Sequence, residues 1–133
     1  MTNALFRKID CIRLFVKDLD EALSFYRARL GHDLIWRTAD AVGLRLPDAD
    51  SEIVLQTERE GLEVDLLVDS VDEAVRQFEA AGGKVIVAPF KIQVGLCAVI
   101  SDPWGNELVI LDMSKGRLIT DADGNIVGNT KPD

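Results

Sequence analysis

Apolar and polar positions follow one pattern along this chain, and the pattern occurs twice. A β-prone apolar run from Ile12 to Val16 opens the first copy, and a run from Val64 to Val68 opens the second. A helix start follows each run. Asp18 has Glu21 three residues on, and Ser70 has Glu73 three residues on. In such capping boxes the side chains satisfy backbone amides that a new helix leaves unpaired. Apolar residues then fall at helical spacing: Leu19, Ala22, Leu23, Tyr26 and Leu30, then Val71, Ala74, Val75 and Phe78. Gly31 and Gly82-Gly83 close the two helices, where a left-handed residue is easiest for glycine.

Superposing residues 14–34 on 66–86, without a gap, makes the duplication explicit. Leu14/Leu66, Val16/Val68, Asp20/Asp72, Glu21/Glu73, Ala22/Ala74, Ala28/Ala80 and Gly31/Gly83 are identical, where chance gives about one or two matches. Three strands are expected after each helix: Asp33–Thr38, Val42–Leu46 and Glu52–Thr57 in the first copy, and Val85–Phe90, Gly95–Ile100 and Glu107–Asp112 in the second. The turn Asp102-Pro103-Trp104-Gly105-Asn106 precedes the last strand.

The expected fold class is therefore α+β: two tandem βαβββ modules forming a curved, mostly antiparallel sheet with a concave cavity and the helices outside. One domain is expected over 1–133, with module one at about 9–57, module two at about 62–113 and a C-terminal tail over 114–133. In the tail, Asp121-Ala122-Asp123-Gly124-Asn125 reads as a hairpin turn, and the last residues are expected to fray. A calcium loop would need a later bidentate glutamate, which Gly128–Pro132 does not supply.

Charge narrows the partners. Fifteen Lys and Arg against 23 Asp and Glu leave a formal net charge of -8. That disfavours nucleic acid and acidic membranes, favours steering of a cation, and also serves solubility. No apolar run is long enough to span a bilayer, and Met1-Thr2-Asn3-Ala4 does not open a secretory signal. Cys11 and Cys97, in separate apolar stretches, read as buried thiols of a reducing, cytoplasmic compartment, although spacing alone leaves a disulfide open.

The run LFVKDLDEALSFYRARLGHDLIW and the later DPWGNELVILDM resemble the vicinal oxygen chelate superfamily of glyoxalases, bleomycin-resistance proteins and extradiol dioxygenases. The resemblance covers roughly residues 9–113. It implies the paired-module fold, a small-molecule ligand and commonly a homodimer, but not one reaction. Metal enzymes of the superfamily place up to four ligands on the concave face. Counting from Val16-Lys17-Asp18 and from Asp102, the resemblance puts three of those positions on Cys11, Glu63 and Val109; the fourth lies within Val54 to Gln56. The 52-residue repeat maps Cys11 onto Glu63 independently. A hydrocarbon, a thiol, a carboxylate and at best one amide make a poor set for a hard divalent ion, so no metal and no cofactor are expected. The single histidine, His32, matches no ligand position and reads as a turn residue.

Other residues carry open readings. Cys11 is either a cavity thiol activated by Arg13 on the same strand face or a small buried filler. Glu63, Asp65 and Glu107 are either pocket carboxylates able to act as a base or charges paired with Arg13, Arg45 or a cationic ligand. Trp36 either stacks on a flat ligand or packs in the core; Trp104 is expected to cap its turn. The cavity candidates are thus Cys11, Arg13, Trp36, Gln56, Glu63, Asp65, Glu107 and Val109. The expected function is metal-free binding of a small apolar or cationic molecule by a homodimer. Its rivals are a lyase or isomerase using Glu63 or Cys11, and a metal enzyme with a non-standard ligand set.

Overall fold

The capping boxes predicted at Asp18 and Ser70 both form in the computed structural model, which describes residues 4–131. Asp18 and Ser70 take extended backbone conformations (φ -141° and -146°), and their side chains accept from the amides of Glu21 (3.0 Å) and Glu73 (3.3 Å). Two acidic residues follow in each first turn, where the helix dipole favours them.

The described chain divides into two compact units. The first comprises residues 10–63 and 119–128. It holds β1 (Lys8–Phe15), α1 (Leu19–Leu23), β2 (Leu34–Arg37), β3 (Ala41–Arg45) and β4 (Glu52–Gln56). The strand order is β2-β3-β4-β1, antiparallel except for the parallel β1/β4 pair. Ala22, Val42, Leu44 and Leu55 form the core between helix and strands, with Leu14, Leu19, Leu23 and Tyr26 packed against it.

The helix does not finish as its spacing predicts. Ser24–Arg29 winds as a π-helical segment, in which the Leu30 amide reaches back five residues to the Phe25 carbonyl (3.1 Å). The wider turn rotates Leu30 off the buried stripe and leaves it 53% exposed.

The second unit comprises residues 64–118 and the flanks 4–9 and 129–131. It holds β5 (Glu63–Leu67), α2 (Val71–Ala80), β6 (Lys84–Lys91), β7 (Leu96–Ser101) and β8 (Glu107–Leu111). The order is β5-β8-β7-β6, again with one parallel pair, β5/β8. Val68, Val71, Ala74, Ala98, Ile100 and Ile110 form its core. Truncating Ile110, fully buried here, to Ala would cost about 2–5 kcal/mol. Asp112 ties this unit together: Oδ2 accepts the Val71 amide (2.9 Å), while Oδ1 accepts the Leu96 amide (2.9 Å) and the Ser114 hydroxyl (2.7 Å).

The tail forms the expected hairpin, β9 (Leu118–Thr120) and β10 (Ile126–Asn129), turning through Asp121–Asn125. Asp121 accepts the amides of Asp123 and Asn125, each at 2.9 Å. Asp102 accepts those of Trp104 and Asn106 in the same way, so one Asp-x-x-Gly-Asn turn is used twice. Only the backbone of Trp104 serves its turn; the ring is 83% exposed, so the capping role expected of it is not met. The fraying expected of the last residues falls on Pro132 and Asp133, outside the described residues. No helix among the described residues is long and apolar enough to cross a membrane.

Candidate functional site

Strand pairing assigns each candidate residue to a face. In parallel β1/β4 the partners are Cys11↔Glu52, Arg13↔Val54 and Phe15↔Gln56. In β3/β4 they are Ala41↔Gln56, Gly43↔Val54 and Arg45↔Glu52. Side chains alternate along a strand, so Cys11, Arg13, Glu52, Val54 and Gln56 share one face, and Leu55, wholly buried in the helix-side core, lies on the other. This settles the β4 register, which the sequence left open between Val54 and Gln56: both point with Cys11.

Cys11, Ala41 and Val54 form a small buried cluster under Trp36. Trp36 sits opposite Gly43, where even a methyl group would overlap the indole, and its Nε1 donates to the Glu52 carboxylate at 2.7 Å. Glu52 was missed by sequence reasoning, since its place beside Cys11 is visible only once β1 is known to pair with β4. Gln56 is 3% exposed and fully engaged: Oε1 accepts the amides of Glu58 (2.7 Å) and Arg59 (2.8 Å), and Nε2 donates to the Arg59 carbonyl. Its amide fastens the loop after β4. Glu63 lies between two arginines, with Arg13 Nε at 3.5 Å from Oε2 and Arg59 Nη2 hydrogen-bonded to Oε1. The pairing expected with Arg13 is present, and Arg59 takes the place considered for Arg45.

The second unit carries an apolar face of its own. Asp65 pairs with Val109 and Val109 with Val99, all three buried, while Cys97 and Ile92 complete the cluster. Glu107, opposite Ser101 at the start of β8, shares the parity of Val109 but is exposed. Cys11 and Cys97 are both thiols, each buried in its own unit. His32 is half-buried at the turn, with Nδ1 3.1 Å from the Arg45 carbonyl.

Two surface depressions, each of about 440 Å³, lie outside the Cys11 cluster. Lys91, Ile92, Gln93, Lys115 and Asn129 line one; Arg27, Arg37, Arg45 and the hairpin turn line the other.

The model of the Glyoxalase/Bleomycin resistance protein/Dioxygenase superfamily matches residues 8–110. The chain belongs to that superfamily. No protein of curated function matches it in sequence. Solved structures of similar fold include methylmalonyl-CoA epimerase from Mycobacterium tuberculosis, at 17% identity and a TM-score of 0.72 over 84% of this chain and 91% of that one. The Streptomyces coelicolor methylmalonyl-CoA epimerase is 18% identical with a TM-score of 0.68, over 84% and 99%. A variant of homoprotocatechuate 2,3-dioxygenase from B. fuscum is 19% identical with a TM-score of 0.59, over 81% of this chain and 33% of that one. At these identities the likeness is one of fold.

Superfamily membership raises the question of a metal, and the side chains present do not fit one. Val109 offers no lone pair. Both ends of the Gln56 amide are spent on the loop at Glu58 and Arg59. Glu63 is neutralised by guanidinium groups that would repel a cation. Cys11 offers a thiol, and a lone thiolate is a poor ligand for a hard ion. Among the described residues, no three His, Cys, Asp or Glu side chains come together as a metal-holding group.

Proposed function

We propose that this superfamily member binds a small, flat, apolar or cationic molecule on the strand face of Cys11 and Trp36, without a metal. The ion pairing of Glu63 with Arg13 and Arg59 supports this reading, because fixed positive charge then stands where the family resemblance puts a ligand position. Trp36 offers a ring face for stacking, and Ala41 and Val54 supply apolar walls. The Glu52 carboxylate hydrogen-bonded to the indole favours a positive group of the ligand beside Trp36, while the guanidinium groups at Glu63 disfavour a cation there. We further propose one domain over 1–133, acting in the cytoplasm as a homodimer whose second copy completes the enclosure.

Titration calorimetry of the intact protein against cationic and neutral aromatic compounds tests the reading. Saturable binding that weakens in Trp36→Leu supports it. Silence across the set at about 1 mM, or affinity unchanged in Trp36→Leu, counts against it.

The similarity to methylmalonyl-CoA epimerases favours one rival, an isomerase of this fold using Cys11 or Glu63. In that reading Arg13, two residues along the same strand face, would stabilise a Cys11 thiolate. Full turnover of an identified substrate by both Cys11→Ser and Glu63→Gln would exclude it.

A further inference from the structure

We propose that the cleft lined by Arg27, Arg37 and Arg45 binds a multiply charged oxyanion, such as a phosphate ester, at a site separate from the Cys11 cluster. Arg37 lies opposite Val42, on the helix side of the sheet, whereas Arg45 lies opposite Glu52, on the face of Cys11; the cleft opens beside the hairpin turn, and no residue of the Cys11 cluster lines it.

The charge balance there is unusual for so acidic a chain. Arg13, Arg59 and Arg76 are each in a salt bridge, whereas Arg27, Arg37 and Arg45 make no side-chain hydrogen bond or ion pair among the described residues. Three like charges left in one depression invite a counter-ion. The acids alongside balance it only in part, and among the described residues neither is ion-paired to these arginines. Asp121 spends its carboxylate on its own turn, accepting from the amides of Asp123 and Asn125 and the Asn125 side chain. Asp121 and Asp123 together stand against three guanidinium groups, which leaves the cleft positive by one charge.

The wall is also fixed. The Gly124 carbonyl accepts the Arg37 amide at 2.7 Å, and a Cβ at Gly124 would lie 2.6 Å from Leu34. The hairpin turn is thereby seated against β2. Guanidinium groups present forked donors that match the oxygens of phosphate and carboxylate, and a volume of about 440 Å³ admits a small metabolite.

Calorimetry at low salt, with pyrophosphate and with citrate on the full chain, tests this. Saturable heat below about 1 mM is expected for at least one of them, weakened about tenfold or more in Arg27→Gln and in Arg37→Gln. Arg76→Gln, outside the cleft, should bind as the wild type does. Tighter pyrophosphate assigns a phosphate ester and tighter citrate a polycarboxylate; both uphold the oxyanion site. No saturation by about 10 mM, or equal affinity in the Arg27 and Arg37 variants, overturns it. Should a variant fold poorly, amide shift mapping of the wild type decides: changes must centre on Arg37 and Ala122–Gly124, and changes elsewhere refute the proposal.

Discussion

Arg13 Nε stands 3.5 Å from Glu63 Oε2, while Arg59 holds the other carboxylate oxygen. Both side chains are only partly exposed, 25% for Arg13 and 20% for Glu63, so the pair is worth more than one in open solvent. Glu63→Gln removes the acid and leaves Arg13 half-buried without it. A stability loss of about 0.5–1.5 kcal/mol is expected, read as a fall of a few degrees in the thermal midpoint. An unchanged midpoint would mean that the pair is not formed.

Gly43→Ala tests the seat of Trp36. The new methyl would sit 2.1 Å from the indole Nε1, so the ring must move and release the Glu52 carboxylate. A cost of about 1–3 kcal/mol is expected for this overpacking. In a Trp104→Phe background, which removes the exposed second indole, the emission of Trp36 should shift to the red. Emission and stability both unchanged would place Trp36 elsewhere.

Asp112 gives the chain a defined response to acid. Burial raises its carboxyl pKa, but the amides of Val71 and Leu96 and the backbone and hydroxyl of Ser114 stabilise the ionised form more, and the net shift is downward. A folded-state value below the unfolded one, about 3.9, contributes stability above that pH, and the contribution is lost as pH falls through the folded value. Asp112→Asn turns an amide NH₂ toward backbone donors and should cost about 1–3 kcal/mol at pH 7 in urea unfolding. The gap between variant and wild type should narrow below about pH 4. A gap that stays constant down to pH 2.5–3 would contradict this role for its charge.

The duplicated helix starts were legible because caps are local: a side chain two or three residues away decides them, and Asp18 and Ser70 do so here. The strands were legible to within a few residues for a similar reason, since alternation is written in each segment. What a strand faces is set by its partner, so the inward turn of Gln56 and the place of Glu52 beside Cys11 had to come from the β1/β4 register. Arg59 was missed as a partner of Glu63 because it lies in an irregular link, where periodicity says nothing. The π-helical turn after Leu23 broke the 3.6-residue count and exposed Leu30, and no composition signal marks such a turn. Asp112, the most connected acid of the second unit, looked from sequence like the end of a strand.

The metal content of the native protein tests the central claim most directly. Protein purified without chelators or an affinity-metal step should carry well under 0.1 equivalents, about the level of adventitious ions, of nickel, zinc, iron, cobalt or manganese by plasma mass spectrometry, and should not gain stability when these ions are added. One equivalent of any of them, lost together with thermal stability on Glu63→Gln, would show that the carboxylate held by Arg13 and Arg59 is a metal ligand after all.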